Sequence, residues 1–224
     1  MFANMATAGG SLSASPGFER LIDRLSDGTD TESVAGTQLV DDPLERRAID
    51  LAKGGDGGAY EYLVSKYVKR VISIAWGIVR NAHDAEDLAQ EAFVKAYTNI
   101  GRFRSGEPFG PWIYRIITNL SLDVVKHRAR VREEELTELE PASRRDRADL
   151  PAAVNEIGIR IEAAIESLPE MQRVVARLHL VEEFSHTEIA GMTNLSEGTV
   201  RSHLSLARKK LREQLADVYG GSDE

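Results

Sequence analysis

Basic side chains are concentrated near the end of this chain. Between Glu197 and Arg212 there are five Lys or Arg residues against one carboxylate, although the formal net charge of the protein is -8. Apolar residues recur there at three- and four-residue intervals, from Val200 to Leu211, which predicts one helix with a buried stripe. The residues left facing outward are Arg201, Ser202, His203, Ser205, Arg208, Lys209 and Arg212. Cations and hydroxyls on one helix face suit the phosphates and base edges of a DNA major groove.

The segment before this helix provides the rest of a DNA-reading unit. Ser185 and Glu188 have the spacing of a capping box, so a short helix is predicted to begin directly after Ser185. Asn194 stands where a left-handed turn is needed, and Ser196 can cap the basic helix. The pattern therefore predicts a helix-turn-helix within Phe184–Lys210. An amphipathic surface helix with a solvated basic face would explain the charge, but not the two caps and the turn.

A second basic segment interleaves aromatic residues with cations. Between Arg102 and Arg132 there are seven Lys or Arg residues against two carboxylates. Rings that stack on bases and cations that hold phosphates suit single-stranded nucleic acid. Phe103 and Phe109 are predicted to lie in a loop. Trp112 shares an apolar helix face, so a position in the core is the preferred interpretation and a surface for base stacking is the alternative. The face predicted to hold nucleic acid comprises Arg115, Asn119, Leu122 and Lys126.

A helix predicted from Asp84 to Ile100 is acidic in its first turns. Its carboxylates favour the positive end of the helix dipole, which is their simplest explanation. They are Asp84, Glu86, Asp87 and Glu91. A metal site that includes His83 is a weaker interpretation, because no ligand spacing such as HExxH accompanies these carboxylates. We therefore expect an acidic face that meets a basic partner, and we expect no metal or other cofactor.

Composition limits the class of protein. The 224 residues suit two small domains, and the absence of cysteine excludes disulfides, thiolate metal sites and cysteine nucleophiles. No apolar run approaches the roughly 20 residues of a membrane helix. The N-terminus has neither the basic start nor the apolar segment of a secretory signal, so we expect a cytoplasmic protein.

Helical periodicity runs through most of the chain, so the predicted fold is all-α, with two small helical domains joined by a flexible acidic linker. Residues 1–41 are rich in Gly, Ser, Ala, Thr and Asp and are expected to form a disordered extension. The first domain is predicted at 42–132, the linker at 133–151, the second domain at 152–218 and a flexible tail at 219–224.

Four segments together resemble a known family. They are DAEDLAQEAF at 84–93, RFRSGEPFGPWIYRIITNLSLD at 102–123, LPEMQR at 168–173 and LSEGTVRSHLSLARKKL at 195–211. In this order and at this spacing, they resemble the bacterial extracytoplasmic-function (ECF) sigma factors, group IV of the sigma-70 family. The resemblance implies a sigma-2 and a sigma-4 domain that bind core RNA polymerase, recognise the minus-10 and minus-35 promoter elements and help to open DNA.

The resemblance also implies roles for three groups of residues. Those that match the surface docking on the coiled coil of the largest polymerase subunit are Asp84, Glu86, Asp87, Gln90, Glu91 and Phe93. Those that match the loop capturing a flipped minus-10 base, and the helix beneath it, are Arg102, Phe103, Arg104, Phe109, Trp112, Tyr114, Arg115, Asn119 and Lys126. Those that match the minus-35 recognition helix are Ser196, Thr199, Arg201, Ser202, His203, Arg208 and Lys209. The other implied partners are the polymerase flap region and an anti-sigma factor, and no catalytic residue is implied.

Two departures from the family pattern leave the promoter sequence open. His203 stands where an arginine is common, and Gly110-Pro111 precedes Trp112 where a polar residue is common. Residues 1–41 have no counterpart. A regulatory role, a start at Met5 or tolerated disorder would each explain them.

Two other classes of function fit part of the pattern. A free-standing helix-turn-helix regulator, with a sensing or dimerising N-terminal half, would use the same DNA-reading unit but has little use for the loop at 102–109. A nucleic-acid enzyme would need a metal or nucleophile cluster, and the five histidines are scattered without ligand spacing. The leading hypothesis is a non-enzymatic promoter-specificity subunit of RNA polymerase.

Overall fold

The computed structural model describes residues 42–104, 106–135 and 156–216, and within these ranges all regular structure is helical. The described helices fall into an N-terminal and a C-terminal compact unit. The prediction of an all-α fold with two helical domains is therefore confirmed. The predicted extension at 1–41, most of the predicted linker at 133–151 and the predicted tail at 219–224 lie outside the described residues.

The N-terminal unit contains four helices between residues 42 and 135, the part of it that the structure describes. They are α1 (Pro43–Lys53), α2 (Gly57–Val79), α3 (Ala82–Asn99) and α4 (Phe109–Glu135), with one 3-10 turn (Ile100–Arg102) after α3. Helix α4 continues through Glu135, so it extends into the acidic run where the linker was predicted to begin.

Polar caps fix where these helices begin. The Asp42 carboxylate accepts the N–H groups of Leu44 and Glu45, at 3.0 and 3.3 Å, as the predicted start of α1 requires. The Asn81 side chain accepts the N–H of Asp84 at 3.0 Å and caps α3. The residue that ends α2 is Arg80, which has a left-handed φ of 59°.

Helices α2 and α4 form the centre of the N-terminal unit. Helix α2 packs against the other three helices of this unit, and α4 also packs against α3. The fully buried apolar side chains at this centre include Leu63, Val71, Ile74, Ile113 and Ile117. Their three- and four-residue spacing is the signal from which both helices were predicted.

A buried carboxylate joins α1, α2 and α4. Glu45 is only 6% exposed, and its Oε2 accepts hydrogen bonds from the Lys66 ammonium at 2.6 Å and the Tyr67 hydroxyl at 2.5 Å. Its Oε1 accepts the backbone N–H of Phe109, the first residue of α4, at 2.9 Å. Burial raises the pKa of Glu45, but the hydrogen bonds from Lys66, Tyr67 and Phe109 outweigh it and hold the pKa below its usual value. Glu45 is therefore an ionised carboxylate held by three donors.

We call the described residues 156–216 the C-terminal unit, and they contain four helices. They are α5 (Glu156–Glu166), α6 (Glu170–Ala176), α7 (His186–Thr193) and α8 (Glu197–Gln214). Helices α5 and α6 both pack against α8. Helix α6 is followed by a wider π-helical turn, Arg177–Val181. This turn begins at a buried arginine.

That arginine forms the buried ion pair of the C-terminal unit. Arg177 is 3% exposed, and its guanidinium donates to Glu162 of α5 at 2.5 Å and to Glu166 at 3.2 Å. The pair fixes α5 against the end of α6. Because both charges are removed from water, breaking the pair leaves a charge whose desolvation is uncompensated.

Arg177→Met is expected to destabilise the C-terminal unit by about 3–5 kcal/mol, because the carboxylate of Glu162 remains buried without its strongest donor. Urea unfolding followed by far-ultraviolet circular dichroism would measure this loss. Both tryptophans, Trp76 and Trp112, lie in the N-terminal unit, so the fluorescence midpoint is the internal control and should not shift. A double variant, Arg177→Met with Glu162→Leu, should recover most of the loss, and no recovery would contradict this role of the pair.

Acid is expected to destabilise the N-terminal unit through Glu45 and Asp42. Hydrogen bonding to Lys66 is the largest cause that holds the pKa of Asp42 below its usual value, and the pKa of Glu45 is also lowered. Groups with a lowered pKa stabilise the fold above their ordinary pKa and lose that effect as the pH falls toward the folded value. We expect the free energy of unfolding, followed by tryptophan fluorescence, to fall between about pH 5 and pH 3. The fall should be shallower in Glu45→Gln, and an equal slope in both proteins would contradict the assignment.

Candidate nucleic-acid interface

The helix-turn-helix has the local geometry that the sequence predicts. The Glu188 carboxylate accepts the N–H of Ser185 at 2.8 Å, and the Ser185 hydroxyl accepts the N–H of Glu188 at 3.2 Å. This reciprocal pair confirms the capping box. Asn194 has a left-handed φ of 58°, and Ser196 caps α8 by accepting the N–H of Thr199 at 3.1 Å. The turn therefore begins and ends as predicted.

The apolar stripe of α8 is buried and its polar face is largely exposed. Val200, Leu204, Ala207 and Leu211 are all at most 1% exposed. Among the residues predicted for DNA contact, the exposed ones are Ser196, Arg201, Ser202 and Lys209, and the half-buried ones are Thr199 and His203. The exposed residues include donors near the helix N-terminus, where recognition helices contact base edges.

A local ion pair holds the first turn of α8. The Arg201 guanidinium lies 3.3 Å from the Glu197 carboxylate, and both side chains are about half exposed. Glu197 also accepts a hydrogen bond from the hydroxyl of Thr187 in α7, at 2.9 Å. An exposed i,i+4 pair is worth little free energy, so Arg201 can exchange Glu197 for a base edge at small cost.

The prediction that Arg208 faces outward is wrong. Arg208 is 7% exposed, and its guanidinium lies 3.3 Å from Nε2 of His179, a buried residue of the π-helical turn. Nδ1 of His179 lies 2.8 Å from the carbonyl oxygen of Phe184, and the His179 ring lies 4.9 Å from that of His186. Helical periodicity places Arg208 at the edge of the apolar stripe. At that edge, the packing of α6 against α8 buries the arginine side chain.

The loop between the 3-10 turn and α4 presents cations but not rings. Arg102 and Arg104 are exposed, and Arg104 forms a loose ion pair with Glu107 at 3.7 Å. Phe103 is 6% exposed and Phe109 is fully buried, so the prediction that both offer surfaces for base stacking from a loop is wrong. Phe109 is also the first residue of α4 rather than part of the loop.

The aromatic side chains of this segment form one cluster. The Phe103 ring lies 4.8 Å from that of Trp112 and 6.1 Å from that of Phe109, and Tyr67 of α2 lies 5.6 Å from Phe109. Tyr114 is 4% exposed, whereas Trp112 is half-buried, so Trp112 is the member of this cluster in part accessible to a base. The hydrophobic gain from enclosing large rings places the others in the core.

The outer face of α4 retains part of its predicted polar character. Arg115 and Lys126 are exposed and Asn119 is half-buried, but Leu122 is 4% exposed and belongs to the core. Together with Arg102 and Arg104, these polar side chains form the basic surface of the N-terminal unit.

Helix α3 carries a mixed acidic and apolar surface. Among the residues predicted for polymerase docking, the exposed ones are Glu86, Asp87, Gln90 and Glu91. Asp84 is partly buried and bonds Arg128 of α4 at 2.5 Å, while Phe93 is 7% exposed. The prediction that Phe93 faces a partner is therefore wrong, because its ring belongs to the core and its carbonyl oxygen accepts the Tyr60 hydroxyl at 2.6 Å.

Sequence reasoning missed two apolar residues of this surface. Val94 is 63% exposed and Tyr97 is 42% exposed. The sequence did contain a signal for the exposure of Val94. This residue lies one helical turn after Gln90, on the polar side of α3 rather than in its apolar stripe. Val94 and Tyr97 therefore add apolar area to the exposed side of α3.

In the ranges that the structure describes, no three His, Asp or Glu side chains come together as metal ligands. Of the helices described, none has the length and apolar character needed to cross a bilayer.

Two family models match the chain at the two candidate surfaces. Sigma-70 region 2 matches residues 63–131, and Sigma-70, region 4 matches residues 159–211. The first includes α3 and the basic surface of the N-terminal unit, and the second includes the helix-turn-helix.

Whole-chain relatives are found in several bacteria. The chain is 34% identical to the ECF RNA polymerase sigma factor SigW of Bacillus subtilis, over 77% of this chain and 97% of SigW. It is also 34% identical to SigE, an ECF sigma factor of Mycolicibacterium smegmatis, over 79% of this chain and 69% of SigE. A solved structure of CnrH in complex with the cytosolic domain of CnrY has the same fold, with a TM-score of 0.57 and 23% identity, over 78% of this chain and 98% of that one.

Both halves of the chain therefore match the same protein family. A free-standing regulator or a nucleic-acid enzyme does not account for relatives that match across both units and are sigma factors throughout. The chain belongs to the ECF sigma factors of the sigma-70 family, which direct RNA polymerase to promoters.

Proposed function

We propose that this sigma factor reads a promoter at two places, using the first turns of α8 for duplex minus-35 DNA and the basic surface of the N-terminal unit for opened minus-10 DNA. The observation that carries the proposal is the exposed polar face at the start of α8, where Arg201 and Ser202 stand beyond a fully buried apolar stripe. A helix held in this way can enter a major groove without disturbing its own core.

The two DNA contacts would use different chemistry. At α8, hydroxyl and guanidinium donors suit hydrogen bonds to base edges, and Lys209 suits a phosphate. In the N-terminal unit, we propose that Arg102, Arg104, Arg115 and Lys126 hold the backbone of the non-template strand. The residues Phe103, Phe109 and Tyr114 would shape the surface from beneath rather than stack on bases. The accessible part of Trp112 is proposed to contact an unstacked base.

We propose that α3 docks on the coiled coil of the largest polymerase subunit. Its polar docking residues would be Glu86, Asp87, Gln90 and Glu91, and Val94 would add an apolar contact that the sequence did not suggest. Asp84 would contribute less, because it already bonds Arg128. A second contact between the C-terminal unit and the polymerase flap is proposed from the family alone.

We further propose that the protein acts in the cytoplasm, has no catalytic activity of its own and is held inactive by an anti-sigma factor. A solved structure with a similar fold is that of the sigma factor RpoE from Bartonella quintana in complex with the anti-sigma factor NepR, which supports an anti-sigma partner for this chain as well.

Run-off transcription over genomic templates, with core RNA polymerase and this protein, tests the proposed function. We expect initiation at a discrete set of promoters only when both components are present. DNA binding without polymerase, together with no promoter-dependent initiation on any template, would contradict the proposal.

Arg201→Ala is expected to weaken holoenzyme binding to the preferred promoter by about 1–3 kcal/mol and to relax preference at one base pair, because a bidentate base contact is lost. Competition assays over a set of promoters, each altered at one minus-35 position, would measure both effects. Lys210→Ala removes the same charge from an exposed residue of the same helix and is the matched control. An equal loss on every sequence would instead identify Arg201 as a phosphate contact.

Asp87→Lys is expected to weaken association with core polymerase by about tenfold or more, because it reverses a charge on the proposed docking face. The fold should be unaffected, since the Asp87 side chain is 62% exposed and its contact with His83 is long, at 3.8 Å. Titration of labelled core enzyme would measure the affinity. The control is Glu61→Lys, at an exposed position of α2, which should bind as the wild type does. Equal binding by all three proteins would exclude this face of α3.

A further inference from the structure

Helix α1 lies outside the matched region 2 range, which begins at residue 63, yet it contacts both ends of the loop at 102–109. At one end, Glu45 bonds the N–H of Phe109. At the other end, α1 packs against the 3-10 turn, and the Lys53 ammonium lies 5.9 Å from the centre of the Phe103 ring. One helix therefore fixes where this loop begins and where it ends.

The Glu45 carboxylate is suited to this task because it is itself immobilised. Lys66 and Tyr67 donate to one oxygen, which leaves the other oxygen directed at the start of α4. The first N–H groups of a helix have no partner within the helix and lie at the positive end of its dipole, so a carboxylate there is favourable.

Close packing between Gly110 and Tyr67 also determines where α4 begins. A Cβ atom on Gly110 would lie 3.0 Å from Cε1 of Tyr67, closer than side chains normally approach. The glycine therefore permits α4 to begin directly against Tyr67, whose hydroxyl also donates to Glu45. This gives a structural reason for a glycine at a position where the family commonly has a polar residue.

We propose that Glu45 is a positioning residue for promoter opening, because its carboxylate fixes the start of α4 and thereby sets the loop at 102–109 before DNA arrives. The inference rests on the proposed minus-10 role of this loop. A loop that is ordered in advance loses less conformational entropy when it binds an unstacked strand, so the opening step is faster.

The first test concerns the free protein and does not depend on polymerase. In hydrogen-exchange mass spectrometry, Glu45→Gln should exchange faster than wild type in peptides that cover 100–112, because its amide holds the Phe109 N–H and the Tyr67 hydroxyl less strongly. Peptides from α3 should be unchanged. Asp50→Asn makes the same chemical change at an exposed position of α1 and is the matched control. Unchanged exchange at 100–112 in Glu45→Gln would overturn the proposal.

The second test measures opening by the holoenzyme. With each variant at saturating concentration on core polymerase, the rate of opening would be followed by 2-aminopurine fluorescence in the minus-10 element. We expect Glu45→Gln to open about tenfold more slowly, with polymerase association and duplex minus-35 binding unchanged, and Asp50→Asn to match the wild type. A role limited to stability would lower the unfolding midpoint but leave the opening rate unchanged well below that midpoint, and this result would overturn the proposal.

The outcomes separate this inference from the proposed function. If wild-type holoenzyme opens no promoter, the proposed function fails, whereas the exchange experiment still decides whether Glu45 orders the loop. If Glu45→Gln does not fold, Tyr67→Phe removes one donor to Glu45 and keeps the ring, and the same two measurements apply to it. Opening at the wild-type rate in Tyr67→Phe, with wild-type exchange at 100–112, would then overturn the proposal.

Discussion

The N-terminal unit depends on one buried carboxylate. Glu45 of α1 joins three helices. One of its carboxylate oxygens accepts hydrogen bonds from α2, and the other accepts one from the start of α4. A buried charge is costly unless it is fully bonded, so this arrangement tolerates little displacement of any of the three helices. The junction lies at the start of α4, directly after the loop that carries Arg102 and Arg104.

The C-terminal unit uses buried charge in a similar way. Arg177 fixes α5 against the end of α6, and Arg208 turns inward to His179. Each guanidinium takes up space that an apolar side chain would otherwise fill, and each requires hydrogen-bond acceptors at defined positions. As a result α8 is held firmly from its inner side, while its first turns keep Arg201 and Ser202 exposed.

Rings and cations are separated in the segment that begins at Arg102. The interleaved sequence suggested that both would meet nucleic acid, yet Phe103 and Phe109 pack with one another at 6.1 Å inside the unit. Arg102 and Arg104 remain at the surface. Large rings gain most from burial and cations lose most, so the same segment separates into a buried aromatic support and an exposed basic surface.

The sequence by itself determined the all-α fold, the caps at Ser185 and Ser196, and the family, because these depend on signals within a few residues or on motifs in a fixed order. The positions of Phe93 and Arg208 depended on the tertiary structure. Helical periodicity describes a face of a helix, but it does not say which neighbour covers the residues at the edge of that face. The contact between Glu45 and the start of α4 joins residues 64 positions apart, and no local pattern reports it. Only the packed helices bring that carboxylate and that N–H together.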